Sequence, residues 1–452
     1  MLRFGTDGVR GRVDVELNDS LVARLGAAVG REFSGSAIVI GHDGRESGPR
    51  LAAAFARGAI TQGCTVSDGG LVPTPAIARA ASARECVGVA ITASHNPWSD
   101  NGVKVFAPGG RKLLDSQQMS IESHWQSSVD PARGSSSHSD SSRGDLSRGE
   151  ARSSAVRPDP SIADNYVRSI ATELGVADFA GREVVLDCAN GATSRVAPTI
   201  ARAVGLSAVV RNAEPDGRNI NDGCGAVHPE AIAAECARRG VVGVAFDGDG
   251  DRVIAIDETG SVIDGDRLIA LAALDLRERS LLAHDTVVVT SMTNLGFHRA
   301  MRERGVRVVT TDVGDRAVLA AMQDGSFVLG GEQSGHIIHA AHATTGDGVL
   351  SAILLLDLVR RRGERLADLA GAVMQRLPQV LHNVRVTNKP ANIEALLADE
   401  LARERASLGD DGRIVVRASG TEPLVRIMVE ATTLELARAV AARLERLVVA
   451  RA

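Results

Sequence analysis

Three features are missing from this sequence of 452 residues: a long apolar run, a regular set of cysteines and an excess of charge of one sign. No apolar run approaches the roughly 20 residues that a membrane-spanning helix requires, and the N-terminal MLRFGTDGVRG lacks the apolar stretch of a signal peptide. The five cysteines are scattered and form no CxxC pair, which argues against a zinc site or a disulfide scaffold and suits a reducing compartment. We therefore predict a cytoplasmic protein without a membrane partner.

Charge and lysine content narrow the class of protein further. The formal net charge is −5 with 24% charged residues, which is ordinary for an enzyme and gives no indication of a nucleic-acid partner. Lysine occurs only at Lys104, Lys112 and Lys389. Genome composition accounts for the scarcity of lysine. The scarcity nevertheless makes Lys104 conspicuous, because this residue lies inside a motif described below.

Length and periodicity predict several α/β domains. The chain is several times longer than a typical domain of about 100 to 200 residues, so two to four domains are expected. Short β-branched runs end in glycine-rich polar loops and alternate with alanine-rich helical stretches, as in SAIVIGHDGRESG, VGVAITASHNP and GVVGVAFDGDGD. This alternation is typical of α/β units with buried strands, whose functional groups lie on loops beyond the carboxyl ends of the strands.

The pattern changes at two places along the chain. Residues 126–158 are rich in serine, arginine and aspartate and lack apolar periodicity, which predicts a solvated linker, with a phosphoregulated segment as the alternative. From about residue 372 two strands follow each other closely around GTEP, which predicts a smaller α+β domain. The predicted domains are residues 1–150, 159–257, 258–371 and 372–452.

The motif FDGDGDR predicts a metal site. Asp247, Asp249 and Asp251 alternate directly after an apolar run, and crowded carboxylates repel one another unless a cation such as Mg²⁺ neutralises them. Calcium is a weaker alternative: Glu258 falls at the last ligand position of an EF-hand loop, but Arg252 occupies the position of its glycine, and strand-like runs flank the loop. A solvated acidic turn is weaker still because the preceding strand is so apolar.

Two further loops offer polar groups for a phosphorylated sugar. VRASGTEPLVR joins two strands and carries hydroxyls, a glycine turn and two guanidinium groups, which suit multidentate binding of phosphate, although surface arginines are an alternative. GGEQSGH supplies Glu332, Ser334 and His336, which suit sugar hydroxyls. His336 is a candidate for proton transfer, and a purely structural histidine is an equally good interpretation.

Ser94 is the candidate nucleophile, and its surroundings in the sequence favour phosphorus over carbon as the electrophile. A hydrolase triad needs a base that faces the serine, but His95 is its immediate neighbour, and neighbours on an extended chain point to opposite sides. The GxSxG motif is absent. With a magnesium site and a phosphate pocket elsewhere in the chain, we expect Ser94 to carry a phosphoryl group.

The ordered motifs FGTDGVRG, TASHNPWSDNGVKVF, VVLDCANGA, PDGRNINDGCGAVHPE, AFDGDGDRVIAIDETG, VGDR, GGEQSGH, TTGDGVL and RASGTEPLVR span nearly the whole chain. In these motifs the sequence resembles the α-D-phosphohexomutase superfamily. The resemblance implies three related α/β domains with mixed sheets and a smaller C-terminal α+β domain around a central active-site cleft. It also implies that movement of the last domain opens and closes the cleft.

The resemblance assigns roles to individual residues. The metal ligands would be Ser94, which carries the phosphoryl group, and Asp247, Asp249 and Asp251. The catalytic residues would be Ser94, Lys104, His336, Arg252 and Arg10. Two of them, Lys104 and His336, match positions proposed to move protons. Sugar hydroxyls would be gripped by Glu332 and Ser334. The phosphate that does not react would be bound by Arg417, Ser419, Gly420, Thr421 and Arg426.

The implied reaction is the interconversion of glucosamine 6-phosphate and glucosamine 1-phosphate through a phosphoserine and a sugar 1,6-bisphosphate, in UDP-N-acetylglucosamine biosynthesis. Mg²⁺ would be the cofactor, glucosamine or glucose 1,6-bisphosphate the activator, and a monomer or homodimer the active form. The same chemistry on mannose or glucose phosphates, a magnesium-dependent phosphatase and an inactive sugar-phosphate-binding paralogue remain alternatives. Departures from the family pattern, such as Ala317 after VGDR, affect loop dynamics or substrate fit rather than the chemistry.

Overall fold

The computed structural model describes residues 2–5, 8–127, 156–175, 178–386, 392–418 and 424–451. Most of the predicted linker at 126–158 lies outside the described residues. The same holds for three of the residues predicted to bind phosphate, which are Ser419, Gly420 and Thr421.

The first domain is built on a mixed sheet with the strand order β1-β5-β4-β2-β3-β7, in which β6 pairs with β5. Strand β2 is parallel to β3 and β4, whereas β4 and β5 are antiparallel. The strands are β1 (Val9–Arg12), β2 (Ala37–His42), β3 (Thr65–Leu71), β4 (Val87–Ile91), β5 (Asp100–Ala107), β6 (Arg111–Lys112) and β7 (Arg157–Pro158). The helices are α1 (Asp19–Glu32), α2 (Gly48–Ile60), α3 (Thr74–Ala83) and α4 (Asp115–Ser127). Because β7 pairs with β3, the last residues of the predicted linker belong to this sheet.

The second domain contains five strands in the order β12-β11-β10-β8-β9. They are β8 (Glu183–Asp187), β9 (Ser207–Arg211), β10 (Gly243–Phe246), β11 (Val253–Ile256) and β12 (Val262–Ile263), with helices α5 (Ser161–Arg168), α6 (Thr193–Ala203) and α7 (Glu230–Arg239). The sheet thus extends a few residues past the predicted boundary at 257. The exact boundaries between domains stay predictions.

The third domain contains four strands in the order β14-β13-β15-β16. They are β13 (Thr286–Thr290), β14 (Arg307–Thr311), β15 (Leu329–Gly331) and β16 (Ile337–His339). Its helices are α8 (Gly265–Glu278), α9 (Leu295–Glu303), α10 (Asp315–Asp324), α11 (Gly348–Arg362) and α12 (Leu366–Val373). As in the first two domains, parallel and antiparallel pairs occur in one sheet, which confirms the predicted mixed α/β architecture.

The fourth domain is a three-stranded antiparallel sheet in the order β17-β19-β18. Its elements are β17 (Gln379–Arg385), α13 (Ile393–Leu396), α14 (Ala398–Leu408), β18 (Arg413–Ala418), β19 (Leu424–Glu430) and α15 (Leu434–Arg451). The predicted α+β domain with two adjacent strands around GTEP is confirmed.

Buried strands explain where the polar loops lie. Strands β4, β10, β11 and β13 are buried at every residue, because their β-branched and small apolar side chains face helices or neighbouring elements on both sides. Polar residues are excluded from such strands and appear where the strands end. The segments that follow β4, β10 and β15 therefore carry Ser94, the three aspartates and Glu332.

The apolar core divides between the first three domains and the fourth. One cluster of buried residues includes Val39, Phe246 and Val289 from the first, second and third sheets. A separate cluster of buried side chains, including Val425 and Leu444, lies within the fourth domain. The first three domains therefore share packing that the fourth does not.

Polar contacts join the fourth domain to the third around Glu430, which is fully buried. Its carboxylate accepts hydrogen bonds from Asn294 Nδ2 at 2.9 Å and from the Leu295 amide at 3.1 Å, both in the third domain. Gln379 Nε2 and Arg413 Nε, in the fourth domain, each donate to it at 3.0 Å. Four donors compensate the desolvation of this carboxylate, whose pKa is nevertheless raised by burial.

Candidate active site

A cavity of about 1260 Å³ opens between the domains and contains residues from the first to the fourth. Residues that line it from the first and second domains include Arg10, His95, Asn96 and Arg252. Those from the third and fourth domains include Asp315, Glu332, Ser334, His336, Arg417 and Arg426. The cavity is large enough for a hexose bisphosphate, since small-molecule sites are typically about 300 to 1,000 Å³.

Ser94 is fully buried directly behind the cavity wall, to which its neighbours His95 and Asn96 contribute. Its Oγ donates a hydrogen bond to Asp247 Oδ2 at 2.5 Å, and its amide donates to Thr92 Oγ1 at 2.7 Å. The φ angle of Ser94 is 53°, in the left-handed region that non-glycine residues rarely adopt. This unusual backbone directs the hydroxyl towards the second domain.

His95 lies closer to Ser94 than the sequence argument predicted. Its Nδ1 is 3.5 Å from Ser94 Oγ, because Ser94 itself has a left-handed backbone and this removes the alternation of an extended strand. Burial together with the charges of Arg252 and Arg10 lowers the pKa of His95 to about 4. The ring is therefore neutral at pH 7. The expectation that the two side chains point to opposite sides is wrong.

The three aspartates after β10 form a compact cluster. One carboxylate oxygen from each of Asp247, Asp249 and Asp251 lies within 4.8 Å of the others, and all three residues are buried. Burial, followed by the charges of Asp251 and Asp249, raises the pKa of Asp247. Asp249 Oδ1 has no hydrogen-bond partner among the described residues, so the cluster retains a buried oxygen suited to a hard cation.

The alternatives to a magnesium-like site are not supported by the geometry. Strands β10 and β11 flank the loop and pair antiparallel, whereas an EF-hand requires flanking helices. Glu258 accepts hydrogen bonds from the amides of Leu366 and Ala367 at the start of α12, so its carboxylate is occupied elsewhere. A solvated acidic turn is excluded because each aspartate is at most 2% exposed.

Lys104 contacts this cluster directly. Its Nζ lies 2.8 Å from Asp249 Oδ2 and 2.7 Å from Asp251 Oδ2, and Thr74 Oγ1 donates to the same Asp249 oxygen at 2.6 Å. One ammonium balances only one of three carboxylates, which leaves a demand for further positive charge. Lys104 lines a smaller cavity beside the main one, together with Phe4 and other residues. Its predicted part in proton transfer stays a prediction.

His336 lies in the cavity wall with a defined environment on each ring nitrogen. The Gly346 amide donates to Nε2 at 3.1 Å, and Nδ1 lies 3.7 Å from Asp251 Oδ1. Burial lowers the pKa of His336, but the nearby charges of Asp251, Asp315 and Glu332 outweigh it, so that the pKa is raised overall. A Cβ on residue 346 would lie 2.5 Å from the imidazole ring, so glycine is required for this contact.

The remaining predicted residues of the first three domains line the same cavity. The Arg252 amide donates to Asp247 Oδ1 at 3.1 Å, and its Nε is 3.8 Å from Asp251 Oδ1. Glu332 Oε1 accepts from the Gly314 amide at 3.1 Å. Glu332, Ser334 and Arg10 all line the cavity, and their roles towards the sugar stay predictions.

Arg417 and Arg426 occupy directly opposite positions on β18 and β19. Both line the cavity. Burial and the neighbouring charge of Arg426 lower the pKa of Arg417, which means that the pair repel one another. Two adjacent guanidinium groups that face a cavity favour an anion with several oxygens, such as phosphate.

Two residues that contact the Ser94 loop were missed by the sequence reasoning. Arg45 is fully buried and donates to the carbonyl oxygens of Ser94 and Asn96, each at 2.8 Å. Asn221 Nδ2 donates to the Ser94 carbonyl at 2.9 Å. Both belong to glycine-rich polar segments after strands, but contacts with backbone carbonyls leave no trace in residue spacing.

Comparison with known proteins identifies the family. The alpha/beta/alpha domains I, II and III and the C-terminal domain of phosphoglucomutase/phosphomannomutase match residues 1–130, 164–260, 264–377 and 381–447. A phosphoglucosamine mutase of Frankia casuarinae is 46% identical, with 98% of this chain and 96% of the relative covered. One from Saccharopolyspora erythraea is 45% identical, with 99% of each covered.

Solved structures agree with this result. A phosphoglucomutase/phosphomannomutase family protein of Burkholderia thailandensis has a TM-score of 0.79 at 25% identity, with 98% of this chain and 96% of that chain covered. An N-acetylphosphoglucosamine mutase of Aspergillus fumigatus, in complex with GlcNAc-6P and magnesium, has the same fold, with a TM-score of 0.70 at 18% identity over 99% of this chain and 95% of that chain.

The chain therefore belongs to the phosphoglucomutase/phosphomannomutase family, whose members are phosphohexomutases, enzymes that move a phosphoryl group within a sugar phosphate. Within that family it belongs with the phosphoglucosamine mutases, as the identities of about 45% over the full chain show. Among the helices of the described residues, none is long and apolar enough to cross a membrane.

Proposed function

We propose that this enzyme interconverts glucosamine 6-phosphate and glucosamine 1-phosphate, with Ser94 as the carrier of the phosphoryl group. The observation that carries the proposal is the 2.5 Å hydrogen bond from Ser94 Oγ to Asp247, which joins a candidate nucleophile to a carboxylate cluster beside a cavity that also contains Arg417 and Arg426. One part of this arrangement suits a reacting phosphoryl group, and the other suits a second phosphate.

The reaction we propose has two transfers. A hydroxyl of the sugar phosphate attacks phosphorus on phosphorylated Ser94, the bond from phosphorus to Ser94 Oγ breaks, and the serine oxygen takes up a proton as the sugar hydroxyl loses one. The resulting sugar 1,6-bisphosphate reorients in the cleft. Ser94 Oγ then attacks the phosphorus of the other phosphate and loses its proton, the bond from that phosphorus to the sugar oxygen breaks, and the sugar oxygen takes up a proton. This step regenerates the phosphoserine and releases the product.

We propose Mg²⁺ as the metal and Asp247, Asp249 and Asp251 as its protein ligands, together with an oxygen carried by Ser94. Their hard oxygen atoms and the partnerless Asp249 Oδ1 fit this ion. When bound, Mg²⁺ supplies positive charge that stabilises a transferring phosphoryl group. The chain itself adds the guanidinium of Arg252 beside the cluster.

His336 and Lys104 are the proposed proton carriers, with Arg10 as a further cation of the cavity. Because Nε2 of neutral His336 accepts from Gly346, its exchangeable proton is held on Nδ1. Glu332 and Ser334 are proposed to bind sugar hydroxyls. A bisphosphate, either of glucosamine or of glucose, would phosphorylate Ser94 at the start. We propose a monomer or homodimer in the cytoplasm, where the five cysteines, all buried thiols, remain reduced.

The experiment that tests the substrate is a competition between the 6-phosphates of glucosamine, glucose and mannose, with identical Mg²⁺ and glucose 1,6-bisphosphate. We expect the highest kcat/KM for glucosamine 6-phosphate and weak activity on glucose phosphate, because buried polar groups that lose a partner can discriminate strongly. A tenfold or greater preference for glucose or mannose would overturn the substrate. Release of inorganic phosphate in place of isomerised sugar phosphate would indicate a phosphatase.

A second prediction concerns the phosphate that does not react. Replacing Arg417 or Arg426 by glutamine should weaken binding by about 1.5 to 3 kcal/mol, the usual contribution of a hydrogen bond to a charged group. The increase in KM should be similar for the 1-phosphate and the 6-phosphate, since both present their unreactive phosphate to the same pair.

The matched control is the exposed Arg438 on α15, whose replacement by glutamine should leave both KM values unchanged. A rise in KM for only one direction of the reaction would contradict a shared phosphate pocket.

A further inference from the structure

The loop that carries Ser94 is held by its backbone carbonyls. Arg45 of the first domain is 0% exposed, and its guanidinium donates to the carbonyls of Ser94 and Asn96 at 2.8 Å, to that of Asp100 at 3.0 Å and to that of Pro97. Few side chains other than arginine can direct so many donors from one rigid plane.

Arg45 is itself fixed in direction. Its Nε donates to Asp43 Oδ2 at 2.9 Å, and the Thr92 hydroxyl donates to the same oxygen at 2.6 Å. Thr92 Oγ1 in turn accepts from the Ser94 amide at 2.7 Å. The amide and the carbonyl of Ser94 are thus both connected to one hydrogen-bond network that runs through Asp43.

A second donor reaches the same carbonyl from the second domain. Asn221 Nδ2 lies 2.9 Å from the Ser94 oxygen and 3.3 Å from that of Asn96. Gly248, inside the aspartate cluster, packs against this contact so closely that a Cβ there would lie 2.7 Å from the Ser94 oxygen. The loop of the nucleophile and the loop of the metal ligands therefore meet at one carbonyl group.

Asparagine suits the left-handed backbone of residue 221, whose φ is 58°, but packing does not explain its amide group. The residue is 7% exposed, and its Oδ1 is buried without a hydrogen-bond partner among the described residues. A buried amide oxygen without a hydrogen-bond partner lowers the free energy of unfolding, so this amide group does not stabilise the protein through packing. Its Nδ2 donor, which bridges two carbonyls of the Ser94 loop, is the part of the side chain that the structure uses.

We propose that Arg45 and Asn221 are positioning residues for phosphoryl transfer. Held from two domains, the Ser94 carbonyl keeps residue 94 in its left-handed conformation, and this backbone directs Oγ at Asp247. The inference rests on the proposed function, because it takes Ser94 as the phosphoryl carrier. Neither residue lines the cavity or contacts a reacting atom; both act through the backbone of the loop.

The test compares two pairs of variants. Asn221→Gly removes the donor while allowing the φ of 58° that this position requires. Asn219→Gly is its control, because the side chain of Asn219 lies in the same loop and bonds only to backbone groups of that loop. Arg45→Lys keeps the charge but not the planar set of donors, and Arg50→Lys is its control, since Arg50 pairs with Asp14 and Asp19 on the surface.

Four quantities are measured on each protein. They are the melting temperature, kcat and KM for the sugar phosphate, and the single-turnover rate at which glucose 1,6-bisphosphate phosphorylates Ser94, followed by mass spectrometry. Misplacement of reacting atoms by about 1 Å can cost about 100-fold in rate, so we expect Asn221→Gly to lower kcat and the phosphorylation rate by roughly 10- to 100-fold. KM should stay within about twofold, since substrate contacts are not altered.

Each outcome bears on the proposal. The proposal is supported if Asn221→Gly is folded and transfers the phosphoryl group slowly while both controls retain wild-type rates. Slow transfer in a folded Arg45→Lys supports the same role for Arg45. Equal losses in Asn219→Gly and Asn221→Gly, or wild-type transfer in Asn221→Gly, would overturn it. If wild-type Ser94 takes up no phosphoryl group, the proposed function fails; if it does and Asn221→Gly is equally fast, only the positioning role fails.

Discussion

Replacing Ser94 by alanine should abolish mutase turnover while leaving the fold intact. The side chain is fully buried but small, and its hydroxyl contacts only Asp247 at 2.5 Å and His95 Nδ1 at 3.5 Å among the described residues, so its loss removes little packing. Loss of a nucleophile removes the covalent route altogether, and in a serine protease the loss of one catalytic residue lowers kcat by about 10⁴- to 10⁶-fold. A coupled assay for glucosamine 1-phosphate formation measures the effect.

Mass spectrometry provides the independent readout for this prediction. Active wild-type enzyme should carry one phosphoryl group on the peptide that contains Ser94, and Ser94→Ala should carry none. Ser99→Ala, in the same loop, is the matched control and should retain both phosphorylation and turnover. Full activity in Ser94→Ala, or a phosphoryl group on another residue of the active enzyme, would refute the assignment.

Replacing Asp249 by alanine should remove most activity even in excess Mg²⁺. The change takes away one of three carboxylates from an ion that requires near-octahedral oxygen coordination. Loss of groups that merely support metal ligands already costs about 10- to 100-fold in affinity or activity, so loss of a ligand should exceed about 100-fold. Isothermal titration of Mg²⁺, or Mn²⁺ followed by electron paramagnetic resonance, measures the affinity without reference to turnover.

Two further variants complete this experiment: the first separates the charge of Asp249 from its shape, and the second is a control outside the cluster. Asp249→Asn preserves the size of the side chain and an acceptor for Thr74, so a loss as large as that of alanine would assign the effect to the missing charge. Asp222→Ala, an exposed carboxylate outside the cluster, should bind Mg²⁺ normally. Unchanged turnover together with unchanged metal affinity in Asp249→Ala would exclude the cluster as the metal site.

The fold could be predicted from the sequence because several of its buried strands are apolar at every position. A strand that is apolar at every position, such as β4 or β10, can only lie inside a sheet that is covered on both faces, and the polar residues that follow it must lie at its end. For this reason the positions of Ser94 and the three aspartates could be predicted before any coordinates were known.

Contacts between distant parts of the chain could not be predicted in the same way. Lys104 and Asp249 are 145 residues apart, and nothing in the spacing of either motif indicates that they form an ion pair. The approach of His95 to Ser94 depends on one left-handed residue, which the pattern of a strand end does not reveal. Glu258 matched a calcium ligand by position, yet it caps a helix more than 100 residues further on.

The division of the apolar core has a consequence for how the enzyme exchanges substrate and product. The buried cluster of the fourth domain shares no residue with that of the first three, among the residues described. Rotation of the fourth domain would therefore leave both of these apolar clusters intact. It would break the hydrogen bonds around Glu430, each contributing about 0.5 to 3 kcal/mol net, and also the contacts of Arg413 with Thr293 and of Arg299 with Asp411. We therefore predict that Arg417 and Arg426, which line the cleft, leave and re-enter it with this domain as substrate and product exchange.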